Sequence, residues 1–294
     1  KTRRSARVSA LSSLSSSFGL GTIVGPALAP LFVLPFVGLP GPLFAFALIA
    51  LAVFVAILVG LPDDSRPRHG RRRGHGAAMS YPSIASSPTG ASVVASTAPR
   101  GAQLKWNDRR IRNWIIAGVV SGHSQAAVLT CLGFFVIDRL GLAPRGSEQS
   151  ISIVMMAGAA ATLAAQWGLI PKLGLSPRAL ILWGSAIAAA GTLVTMVATD
   201  LYGLVLGFGI ASLGFGFTRP GFTGGASLAV PLADQGGVAG VITAANGIAY
   251  VAAPTVGMLL YAVDPHWPFA VSAVLLVGLL LWGQRALTAA PISA

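Results

Sequence analysis

The chain has 294 residues, of which 54% are hydrophobic and 10% charged, with a mean hydropathy of +0.75 and a formal net charge of +12. Soluble domains carry about 25% charged residues, so this composition excludes a soluble globular protein and points to a polytopic membrane protein. A nucleic-acid binder is excluded as well: the basic residues are spread over segments between apolar runs instead of sharing one reading face. Cys131 is the sole cysteine, which leaves no disulfide framework or cysteine metal site.

Lys1 is not an initiator methionine, and KTRRSARVSALSS has neither the apolar core nor the cleavage site of a signal peptide, so the chain is expected to begin within a longer protein. Eight stretches are long and apolar enough to approach or cross a hydrocarbon core of about 30 Å: 14–37, 42–61, 114–137, 151–170, 179–198, 201–228, 238–263 and 268–282.

The first carries FGLGTIVGPALA, with Gly21, Gly25 and Pro26 close together. Such residues weaken a helix in water by about 1 to 3 kcal/mol each. In a bilayer, which cannot solvate a broken backbone, they instead allow close helix contact and a kink. VGLPGP then forms a turn before the second stretch.

From Asp63 to about Arg112 the chain is rich in Ser, Pro, Gly and Arg, as in RPRHGRRRGHG, and reads as a disordered linker near anionic head groups. His69 and His75 in this loop are a weak basis for metal binding, and no metal site is expected.

The third stretch contains SGHSQ. His123 is suited to proton relay or to bonding a substrate, or is held neutral by a neighbouring helix, and Gln125 beside it is a further cavity candidate. Arg219 in GFGFTRPGF costs about 2.5–3.5 kcal/mol at a membrane centre, so it either faces a cavity or reaches to the head groups. Asn246 and Tyr250, one turn apart in TAANGIAYVAAPTVG, present an amide and a phenol either to a cavity or to another helix.

That last segment repeats the first. An offset of 228 residues pairs Pro26 with Pro254, Gly19 with Gly247, Ser15 with Thr243, Gly25 with Ala253 and Ala29 with Gly257. This suggests a duplication whose unit is six helices. The linker follows the second apolar stretch, where one unit ends, so four helices are expected before residue 1 and about twelve in all. Residues 1–62 are then the end of an N-terminal six-helix bundle, 63–112 the linker and 113–294 the C-terminal bundle. If the N-terminus is cytoplasmic, 17 of the 20 lysines and arginines fall inside, with only Arg139 and Arg145 outside.

This architecture resembles the major facilitator superfamily. GTIVGPALA is similar to the antiporter motif in the fifth helix of its drug/proton antiporters, departing where Ser12 and Ala29–Pro30 stand in glycine positions. IPKLGLSPRALILWG looks like the loop between helices eight and nine, and GFGFTRPGF with VPLADQGGVAG looks like helix ten and its exit loop in the tetracycline-exporter-like branch.

The resemblance implies an all-α bundle of two six-helix halves, about eight of twelve helices being present here. It further implies alternating access, proton-coupled efflux of a small amphipathic molecule, no cofactor, a monomer, and a plasma-membrane location with the linker cytoplasmic. Gly21, Gly25, Pro26, Gly247 and Pro254 would serve conformational change. His123, Gln125, Arg219, Asn246 and Tyr250 are the substrate-cavity candidates.

Alternatives are proton-coupled metabolite uptake and a non-transporting receptor or scaffold. An enzyme is not expected, since G-x-S-x-G, H-E-x-x-H and a phosphate loop are absent. Eight helices lack walls of a full cavity, so the 294-residue chain alone is not expected to transport.

Overall fold

The computed structural model describes residues 41–60, 104–143, 146–231 and 234–287. Gly21, Gly25, Pro26, the stretch 14–37 and most of the linker lie outside them. The described residues form seven helices: α1 (Gly41–Gly60), α2 (Arg112–Leu140), α3 (Glu148–Leu173), α4 (Pro177–Val197), α5 (Leu201–Leu228), α6 (Gln235–Val263) and α7 (Trp267–Ala286). Six of them, α2 to α7, are long and apolar enough to cross a membrane. No strand occurs among the described residues. The chain is an all-α membrane bundle.

α1 exposes apolar side chains on every side, Phe44, Leu48 and Val59 among them. A helix apolar all round is not a water-facing helix; it belongs in a protein core or a membrane.

The core of the bundle is the α4–α5 seam, and its glycines explain the fit. A Cβ built on Gly191 would lie 2.0 Å from the backbone nitrogen of Ala211, and one on Gly214 would lie 2.3 Å from that of Ala188. Only hydrogen in those places lets two backbones touch, which is how membrane helices associate when apolar burial provides no drive. α5 starts cleanly because Asp200 Oδ1 accepts a hydrogen bond from the Gly203 amide at 2.7 Å. α4 starts with Pro177 at its first position and Ser176 Oγ accepting from the Ala179 amide.

α3 bends through a π-helical stretch, Ala164–Leu169, where the Ile170 amide bonds to the Ala165 carbonyl. Pro171 follows it. A proline has no amide to continue the ladder and crowds the carbonyl one turn back, and the wider turn absorbs the mismatch.

Helix ends among the described residues fall within three residues of the sequence expectation except at two boundaries. The last helix runs to Ala286, not 282. Its polar end is held because Arg178 donates to the Gln284 carbonyl at 2.7 Å and Asn113 Nδ2 to that of Ala286 at 2.8 Å. Packed structure also begins at 104, before the expected linker end. Leu104 lies against Gly237, Ile111 is fully buried, and Arg110 bridges Asp108 and Asp234 at 2.8 and 3.0 Å. The guanidinium beside Asp108 holds its carboxyl below the usual carboxylate range.

The chain direction gives the bundle two unlike ends. At one end the helix termini and the residues flanking them carry Lys105, Arg109, Arg110, Arg112, Lys172, Arg178 and Arg285. At the other they carry Asp138, Glu148, Asp200 and Asp264, with Arg139. Tyr261 donates to Asp138 there, and Arg139 donates to the Met196 carbonyl at 3.1 Å, tying α2 to α6 and α4.

Candidate functional site

Between these ends α2, α5 and α6 converge. α6 carries two adjacent stripes. The first is small: Ala249, Ala253 and Gly257 pack on α2, with Ala253 in a buried cluster with Ala126 and Ala127, and a Cβ on Gly257 would sit 3.3 Å from Cys131 Sγ. A Cβ on Gly122 would likewise sit 3.2 Å from that of Ala249. This close approach brings the second stripe, Asn246 and Tyr250, to the edge of α2.

The two residues open onto a small cavity lined by Ser121, Gly122, Gln125, Thr218, Arg219, Phe222, Asn246 and Tyr250. The Tyr250 hydroxyl donates to Gln125 Oε1 at 3.2 Å, joining α6 to α2 across it. Arg219 enters from α5 and lines the same cavity. The residue after it is Pro220, and Thr223 Oγ1 donates to the Arg219 carbonyl at 3.0 Å. Pro220 has no amide to donate to the Gly216 carbonyl, so α5 lacks one rung of its ladder beside Arg219.

Gln125, Arg219, Asn246 and Tyr250, four of the five sequence candidates, are thus brought together. Arg219 lines the cavity about nine residues from the end of α5, or roughly 13 Å along the axis. His123 is half-buried and does not line it. Two residues along a helix are about 200° apart, so a turn that aims Gln125 inward aims His123 away.

Ser121, Thr218 and Phe222 were not picked out from sequence. Ser121 stands one turn before Gln125 and Phe222 three residues after Arg219, so helical spacing from the chosen residues would have found them. Pro254 lies half-buried inside α6. Gly247 is exposed, with nothing within 4 Å of an added Cβ. Gly21, Gly25 and Pro26 lie outside the described residues.

The cavity measures about 10 Å³, room for one water. Small-molecule sites usually enclose about 300 Å³ or more. The cavity is thus too small to enclose such a molecule; it gathers one cation, two amides and a phenol inside an apolar bundle. Among the described residues no group of histidine, cysteine and acidic side chains could hold a metal ion.

A comparison with curated proteins gave no match. The family model described as Major Facilitator Superfamily matches residues 2–254, most of the chain and every residue of the polar wall. A multi-pass helical bundle with a polar wall at mid-depth suits the carriage of a small molecule across the membrane that holds it. The chain belongs to the major facilitator superfamily and, with it, to the secondary transporters.

Proposed function

We propose that the protein exports a small amphipathic molecule in exchange for protons, by alternating access. It would act as a monomer of two six-helix halves joined by the 63–112 segment, in the plasma membrane with its basic end cytoplasmic. The observation that carries this reading is the meeting of Gln125, Arg219, Asn246 and Tyr250 from three helices at mid-depth. Intramembrane polar groups are costly, and their gathering on one wall marks a substrate path more readily than four separate helix contacts would. The GTIVGP sequence around Gly21, Gly25 and Pro26, so similar to the antiporter motif, supports export with exchange.

The test uses membrane vesicles holding the full-length protein, prepared everted and right-side-out, with an imposed pH gradient and labelled amphipathic substrates. Exchange-driven export predicts accumulation in everted, acid-inside vesicles, with substrate addition releasing protons from the lumen. Accumulation only in right-side-out vesicles would establish uptake instead. Flux indifferent to the gradient would remove the coupling from the account.

A further inference from the structure

We propose that the groove between residues 104–107 and the start of α6 binds an anionic phospholipid of the surrounding membrane. The groove is about 680 Å³ and is lined by Leu104, Lys105, Trp106 and Asn107 on one side and Gly237, Gly240, Val241 and Ala244 on the other. It is separate from the polar wall: none of its lining residues is shared.

Its construction follows from two glycines used differently. Gly237 has Leu104 2.9 Å from where a Cβ would be, so it lets residues 104–107 lie against α6. Gly240, nearly one turn on, has nothing within 4 Å, so it leaves the groove open. Val241 and Ala244 continue the same small apolar face along the helix. An acyl chain fits such a track; a peptide would find few backbone partners there.

The rim supplies the second half of the match. Lys105, Arg109 and Arg112 are exposed at the level where α2 begins its span, and Trp106 is 68% exposed beside them. An indole left in water is unfavourable, whereas at the head-group level its apolar body and polar N–H are both satisfied. Arg110 pairs with both Asp108 and Asp234, and with Lys105, Arg109 and Arg112 the rim sets four cations against two carboxylates and stays positive. Positive rim, interfacial indole and apolar track match a negatively charged head group with its chain below. The charge at the rim selects an anionic lipid over a zwitterionic one.

The experiment places the full-length protein in phosphatidylcholine nanodiscs and titrates in phosphatidylglycerol with brominated acyl chains. The readout is the tryptophan quenching that Trp106→Phe removes. Half-quenching is expected at a lipid fraction roughly tenfold below that needed with brominated phosphatidylcholine. Joint Lys105→Gln, Arg109→Gln and Arg112→Gln should abolish that preference, and the lysine-to-arginine change at 105 should keep it.

Gly240→Leu should weaken quenching by both lipids while the fold is kept, since nothing lies within 4 Å of an added Cβ there. Equal quenching by the two lipids, or a preference that survives loss of the three charges, overturns the proposal. So does the absence of any Trp106 quenching, which would mean that another part of the protein or a second copy covers the groove.

Discussion

Replacing Arg219 with Gln is expected to lower substrate flux by about 10- to 100-fold while leaving the folded protein at least as stable. The magnitude follows from losing hydrogen bonds made by a charged group, worth about 1.5–3 kcal/mol. The stability follows from the opposite side of the same physics. A mid-membrane arginine costs about 2.5–3.5 kcal/mol to insert, and glutamine relieves that cost while keeping polar atoms in a cavity lined by Gln125, Asn246 and Tyr250. A purely structural arginine would behave differently, its loss lowering the melting temperature and the flux together. Arg219→Lys should retain part of the flux, since it keeps the charge but not the planar fork of donors. Flux and melting curves of the three proteins in the same vesicles decide between the roles.

Gly191→Ala is expected to be the most damaging single methyl in the described bundle. The Cβ would stand 2.0 Å from the Ala211 backbone nitrogen and 2.6 Å from its Cα, and neither atom belongs to a side chain that could turn aside. α4 and α5 would have to separate along the seam that holds the core together. Overpacking costs about 1–3 kcal/mol even where side chains can adjust, so a loss at or above about 3 kcal/mol is expected. Gly209→Ala on α5 is the control, because nothing lies within 4 Å of its added Cβ. Helix propensity alone favours both changes by about 1 kcal/mol. A melting temperature lowered by roughly 10 °C in the first variant and unchanged or raised in the second is the expected pair of results.

The helices were legible because a bilayer demands about 20 consecutive apolar residues, and each run announces itself. Residues 201–228 were placed to the residue, bounded by Asp200 before the run and by Pro231 shortly after it. The end of α7 was missed because Gly283, Gln284 and Arg285 break the apolar run, while the helix continues on bonds from Arg178 and Asn113. The packed segment before α2 was missed for a related reason. Leu104 and Ile111 are isolated among basic and polar residues, and two apolar side chains make no periodic signal.

The site was legible in parts. Asn246 and Tyr250 stand one turn apart and so share a face wherever α6 packs. That Gln125 and Arg219 would meet them depended on which helices touch, and the ties that decide it, Tyr250 to Gln125 and Tyr261 to Asp138, span 125 and 123 residues. No local pattern encodes such pairings. His123 shows the converse limit: its chemistry marked it, but helix rotation placed it off the wall.

The central claim is that the Gln125, Arg219, Asn246 and Tyr250 wall faces a path that opens to water on alternate sides. Cys131 is the sole cysteine of the 294 residues, so replacing it and any cysteine elsewhere in the full-length protein by alanine gives a background for a single reporter. The most direct measurement is the reaction of Asn246→Cys in that background with a membrane-impermeant maleimide, applied from each side with and without a pH gradient. The account predicts labelling from both sides, in proportions that shift when the gradient is reversed. A thiol inert from both sides under every gradient, in a protein that still transports, would contradict it.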